Sequence, residues 1–178
     1  EADLMKHVVM VRHNSYLFKG TVEENLRMAK TDVSKEEMEA VLQKVNLLGF
    51  LQTQDGLQKK LQEKAGNLSG GQCQRLVIAR ALLKDAEAYI FDEATSNIDV
   101  ESEELIMDVI HELAKKRTVL LISHRLANVV KSDRIYFLKD GKIKESGKHE
   151  ELMQKNGAYR HLYESQMALE NYGKWDNR

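Results

Sequence analysis

Apolar residues along this chain fall into short continuous runs separated by stripes at helical spacing. Val8-Val9-Met10-Val11, Ala88-Tyr89-Ile90-Phe91 and Thr118-Val119-Leu120-Leu121-Ile122 are the runs. Each is short and rich in β-branched or aromatic residues, which predicts a buried strand. Between them, Met38, Val41, Leu42 and Val45 form a stripe behind Ser34, and Ser34 with Glu37 has the spacing of a capping box. That predicts a helix over 34–45, after an earlier one over 21–28. Further helices are expected over 69–84 and over 99–114, the latter with Leu105, Val109 and Leu113 on its apolar face. Residues 52–67 are polar and punctuated by glycine, and read as loop. Residues 134–138 and 142–145 flank Asp140-Gly141, a strong hairpin signal. Helices over 149–153 and 159–169 close the chain.

Strands alternating with helices predict an α/β layered architecture, and the hairpin predicts that its strands are not all parallel. Apolar residues make up 42% of the chain and charged residues 31%, the balance of a globular protein. The 178 residues suit one domain with a real core. With a formal net charge of -1 and both signs dispersed, the basic stripe of a nucleic-acid binder is missing. A single cysteine forms no internal disulfide, which is compatible with a reducing compartment. The run over 118–122 is far shorter than the roughly 20 residues of a membrane helix, and no secretory signal is visible. The chain starts at Glu1 rather than Met and is expected to be a fragment or a processed form.

The most specific chemistry begins at Leu68-Ser69-Gly70-Gly71-Gln72, followed by Gln74-Arg75. Ser69 can cap the first turn of the helix it opens. The glycines lack Cβ atoms, so an anion can come close to backbone N–H groups, and the helix dipole favours a phosphate there. The alternative is a glycine-rich cap without a ligand. Further on, the strand over 88–91 delivers Asp92 and Glu93 to the end of the sheet where α/β proteins bind ligands. One carboxylate there can hold Mg²⁺ and its neighbour can orient or deprotonate a water. Two solvated acids at a strand end are the alternative. Asp99, after Ser96-Asn97-Ile98, can be the N-cap of the next helix. His124 follows the third apolar run, at the edge that holds Glu93 if the strands are parallel.

In order and spacing these segments resemble the ATP-binding cassette (ABC) ATPase family. Residues 68–72 are similar to its signature motif, 90–93 to Walker B with the catalytic glutamate, 96–99 to the D-loop, and His124 to the switch histidine. Asn97 and Ile98 stand where Ala and Leu are commoner. Residues 17–25 and 147–159 resemble exporter-type members in particular. The resemblance implies a P-loop NTPase-like layered sheet, truncated at the N-terminus. Residues 1–178 would then form one partial nucleotide-binding domain, with a helical signature subdomain over about 21–86. It implies that Asp92 holds Mg²⁺, that Glu93 and His124 are catalytic, and that Ser69, Gly70, Gly71, Gln72 and Asp99 meet nucleotide. ATP and Mg²⁺ are the implied cofactors. A second cassette and a transmembrane domain, met around residues 13–18, are the implied partners, at the cytoplasmic face of a membrane.

Two departures stand out. No Gly-x-x-x-x-Gly-Lys-Ser/Thr loop occurs: the Gly-Lys pairs at 141, 147 and 173 are followed by Ile143, His149 and Trp175. In the family that loop cradles the phosphates and lies upstream of the Q-loop, so this chain alone is expected to lack ATPase activity. Its strand is expected beside the Walker B strand, leaving a gap at the sheet centre that favours pairing with a second copy or continuation into a longer chain. At the Q-loop, His13 stands for glutamine and Arg12 for the preceding proline, in a chain with no proline at all. The family position would bring His13 to Mg²⁺ or the attacking water; the other reading is a loop histidine near the membrane partner. Two functional alternatives stay open: a soluble ABC ATPase, and a non-catalytic dimerisation or regulatory cassette.

Overall fold

The structure is a computed structural model that describes residues 7–175 of the chain. It divides into two compact units, Glu1–Ile122 and Ser123–Arg178.

The first unit is built on three parallel strands, β1 (Val8–Arg12), β4 (Ala88–Asp92) and β5 (Thr118–Ile122), with β4 in the middle. Val11, Phe91 and Leu121 share one register level, and Arg12, Asp92 and Ile122 the next. The sheet confirms the α/β reading, but its strands are not buried on both faces. Val9, Val11, Tyr89 and Phe91 are buried, whereas Met10 is 47% exposed, Leu120 51% and Ile122 44%. Helices of the first unit pack on the first face, α4 (Gly70–Leu83) against β1 and α5 (Val100–Ala114) against β5. A continuous apolar run does not reveal this, because neighbours along a strand point to opposite faces. The expected gap beside the Walker B strand is also absent. Both edges of β4 are taken, by β1 and β5, and the open edges among the described residues are the outer ones.

The parallel pair β1 and β4 needs a crossover, and a helical layer supplies it. Thr21 caps α1 (Val22–Arg27) and Ser34 caps α2 (Lys35–Lys44), each with a complete capping box closed by Glu24 or Glu37. A short helix, α3 (Leu48–Gln52), precedes α4, and α2 packs on α4. Leu26, Met38, Leu42, Leu47, Leu51, Leu76 and Ile78 are 0–1% exposed, and each such side chain contributes about 1.5–3 kcal/mol of transfer free energy. Residues 52–67 are more ordered than a loop. Two strand residues there, β3 (Lys60–Leu61), pair antiparallel with β2 (Gly20–Thr21), Gly20 opposite Leu61. The pairing spans a long sequence separation, so no local pattern announces it. Asn25, fully buried, closes the same region: its Nδ2 donates to the Phe18 and Thr21 carbonyls and its Oδ1 accepts from Phe18 N at 2.9 Å.

On α5 the buried stripe is Ser102, Glu103, Ile106, Met107 and Ile110, not Leu105, Val109 and Leu113, which are only partly buried. The start of α5 is held by its cap and by contact with α4, and those contacts set its rotation.

In the second unit, β6 (Ile135–Lys139) and β7 (Lys142–Gly147) form the hairpin expected at Asp140-Gly141. Both turn residues have positive φ, 54° and 69°, as a two-residue hairpin turn of this hand requires. Helices α6 (His149–Gln154) and α7 (Ala158–Trp175) follow. Glu145 of β7 accepts from Tyr159 N at 3.1 Å, and His149 Nδ1 lies 2.8 Å from the Tyr159 hydroxyl. Burial, with Tyr163 and Glu150 nearby, pushes the Tyr159 hydroxyl up to about 12. No helix among the described residues is long and apolar enough to cross a membrane.

Candidate active site and signature helix

The end of β4 carries the acidic pair. Asp92 is the last strand residue and is half-buried. Glu93 then turns the chain out of the sheet with φ at +50°, a conformation costing a non-glycine residue roughly 1–2 kcal/mol. The surroundings hold it there. Glu93 N donates to Ile122 O at 3.0 Å, and Ser96 N donates back to Glu93 O at 3.0 Å. The Ser96 hydroxyl lies 3.4 Å from Glu93 Oε2. Strain of this kind persists where neighbours over-determine a residue, which happens most often at functional sites. Across the strand pair, Arg12 Nε stands 3.9 Å from Asp92 Oδ2.

The turn after Glu93 runs directly into α5. Asn97 takes a positive φ of 61°, which its short polar side chain tolerates. Asp99 is the N-cap: its Oδ1 accepts from Ser102 N at 2.8 Å. That hydrogen bond holds the Asp99 carboxyl below the usual range. Of the two roles open to Asp99 in the sequence, the structure shows the cap, and one carboxylate oxygen is already used by it.

Ser69 opens α4 with a full capping box. Gln72 N donates to Ser69 Oγ at 3.2 Å and Ser69 N to Gln72 Oε1 at 2.9 Å. Gly70 and Gly71 lie in the first turn, where N–H groups have no partner within a helix. The two glycines have different reasons to be glycine. A Cβ on Gly70 would meet nothing closer than 3.7 Å. A Cβ on Gly71 would fall 2.0 Å from Ser102 Oγ and 2.5 Å from Ser102 Cβ. Gly71 is therefore the point where α4 and the start of α5 touch, a packing role besides any anion-binding one. Ser102 escapes a sequence reading. Its only local sign is its place three residues after a capping aspartate.

Long-range hydrogen bonds tie α4 to the segment after β1. Gln74, 5% exposed, donates through Nε2 to Arg12 O at 3.2 Å, and Arg80 donates to Tyr16 O at 2.8 Å. His13 follows Arg12 and is exposed. A cleft of about 450 Å³ opens between these segments, lined by His13, Tyr16, Gly70, Cys73, Ser96 and Asn97 among others. Burial pushes the half-buried Cys73 thiol up. In the first unit, His13 and Gly70 share this cleft, and Gly71 lies against Asp99 and Ser102; Asp92 and Glu93 stand at the end of β4 and do not line it. His124 belongs to the second unit, where it is exposed and its carbonyl accepts from Gln166 Nε2 at 2.8 Å.

Among the described residues no cluster of three or more His, Cys, Asp or Glu could hold a metal. A single carboxylate such as Asp92 nevertheless suits Mg²⁺, which keeps most of its waters and takes one or two protein oxygens plus phosphates.

Comparisons with known proteins give the family of the chain. The family model described as ABC transporter matches residues 1–96. An ABC transporter ATP-binding protein of Haemophilus influenzae is 53% identical over 163 residues, covering 92% of this chain and 29% of that protein. An ATP-dependent lipid A-core flippase of Xylella fastidiosa is 42% identical over 167 residues, covering 93% of this chain and 28% of the flippase. Among solved structures, a bacterial Atm1-family ABC exporter with ATP bound superposes with a TM-score of 0.86 at 31% identity, over 93% of this chain and 29% of the exporter. The chain therefore spans under a third of the length of the relatives it matches. With more than half of its residues inside the family match, the chain belongs to the ABC transporter family.

Proposed function

We propose that this chain is part of the ATP-binding and ATP-hydrolysing cassette of an exporter-type ABC transporter. The observation that carries the reading is the end of β4, where Asp92 and Glu93 leave the sheet, followed by a turn over 97–102 that meets the capped, glycine-opened start of α4. Residues 1–178 are read as one partial nucleotide-binding domain, with residues 21–86 as its helical signature subdomain. The exporter-like names of the relatives and of the structural neighbour support the transport role.

In this reading Asp92 would hold Mg²⁺, which supplies charge neutralisation to the phosphates. Glu93 takes the proton of the attacking water, and its carboxylate is kept in place by Ser96 and by the backbone bond to Ile122. Ser69, Gly70, Gly71 and Gln72 present the open first turn of α4 to the γ-phosphate held by a second cassette. His124 contacts the γ-phosphate. Asp99 acts by fixing the turn between Glu93 and α5. His13 takes the Q-loop place near the metal. Membrane-domain contact falls to residues around 13–18, on the cytoplasmic face.

The test is Mg-ATP binding by calorimetry, for this chain and for a form extended upstream by a phosphate-binding loop. The extended form is expected to bind and hydrolyse ATP, and this chain alone to bind weakly. In the extended form Glu93→Gln should abolish turnover and keep binding. Turnover that survives Glu93→Gln refutes the assigned base.

A further inference from the structure

We infer that Arg12 tunes the metal affinity of Asp92: its guanidinium weakens the hold of that carboxylate on a divalent cation. The inference rests on the reading of Asp92 as the metal ligand. It starts from the parallel pairing of β1 with β4, which sets Arg12 level with Asp92. Residues level with each other on paired strands project from the same face of a sheet. Arg12 Nε stands 3.9 Å from Asp92 Oδ2 and 3.2 Å from Met10 Sδ, so the arginine stem lies along its own strand with its charged end beside the carboxylate. A guanidinium keeps its charge at any working pH. It repels an incoming divalent cation that the Asp92 carboxylate attracts.

The distance decides the size of the effect. At 3.9 Å the pair is a charge contact and not a hydrogen bond, so the Asp92 oxygens remain available. The Arg12 side chain is 60% exposed and that of Asp92 37%, so water and salt screen the pair. Arg12 therefore lowers metal affinity without abolishing it, and its influence fades as ionic strength rises.

The test uses Mn²⁺ as the probe, titrated into this chain at neutral pH. Binding is read from paramagnetic broadening of the backbone amide signals of residues 91–93. In low salt, Arg12→Gln should tighten the midpoint about three- to tenfold, and Arg12→Lys, which keeps the charge, should stay near the wild type. The difference between Arg12→Gln and wild type should shrink in high salt. Thermal midpoints of both variants check that β1 is intact. Equal midpoints for wild type and Arg12→Gln overturn the inference. So does weaker binding by Arg12→Gln, or a shift that Arg12→Lys shares in full. If broadening at residues 91–93 is absent from the wild type, or survives Asp92→Asn, Asp92 is not the ligand. That outcome removes the metal reading and this inference with it, whereas equal midpoints remove the inference alone.

Discussion

The start of α4 and the end of β4 are held in place by opposite means. At Ser69 every local preference agrees with the fold: a capping serine, a glutamine closing the box, and glycine where another helix touches. At Glu93 local preference is opposed, since a bulky acid sits at φ +50° and is kept there by Ile122, Ser96 and the chain beyond. The first region is favoured by its own local sequence. The second is ordered only because its surroundings insist. A residue that has to place a carboxylate against a reacting water gains from such confinement, because a held side chain has little freedom left to lose.

The adjacent glycines Gly70 and Gly71 test the first region most sharply, and the largest effect is expected there. Gly71→Ala drives a methyl group into Ser102, 2.0 Å from its hydroxyl, and overpacking of this kind costs about 1–3 kcal/mol. Gly70→Ala meets only ordinary contacts at 3.7 Å and should be neutral or slightly stabilising, within about 0.5 kcal/mol. Urea unfolding of the two single variants measures the contrast. Adding Ser102→Gly should recover part of the Gly71→Ala loss, since the two closest atoms are then removed and Asp99 Oδ2 at 3.1 Å remains. Equal stability of the two alanine variants would break the claim that Gly71 joins α4 to α5.

How far the sequence reveals these regions follows from the same contrast. The caps at Ser34 and Ser69 are legible because each is a local exchange between residues three apart. The placement of Asp92 and Glu93 is legible because an apolar strand delivers them to a sheet end. The bond from Gln74 to Arg12 O, the β2–β3 pairing and the Gly71–Ser102 contact are not legible, because each joins segments whose separation no period encodes. Burial along the strands departs from the apolar pattern for a related reason. Met10 and Leu120 have the same character as Val9 and Val119, and only the placement of helices on one face separates them.

The second region is tested by removing its strain. Glu93→Gly and Glu93→Ala both delete the carboxylate, but only glycine occupies positive φ freely. The glycine variant should be the more stable of the two by about 1 kcal/mol, even though glycine loses that comparison in an ordinary helix or strand. Thermal unfolding of the pair reads the difference. If alanine is equal or better, the backbone at 93 relaxes easily and the confinement described above is lost.

The smallest effect concerns the hinge between the regions, Asp99. Its folded carboxyl is held below the unfolded value by the Ser102 N–H. The sign follows from that direction. Above the unfolded aspartate value, near 3.9, the cap contributes its full stability. As pH falls through the lower folded value, the carboxylate protonates and the contribution disappears. Asp99→Asn keeps a capping oxygen but removes the titration. Unfolding midpoints should therefore be nearly equal for the two chains at neutral pH. Between about pH 5 and pH 2 the wild type should lose stability faster than Asp99→Asn. Parallel acid limbs would mean that Ser102 is held by contact with Gly71 and not by its cap, and would shift the weight of this hinge from Asp99 to the packing of α4 on α5.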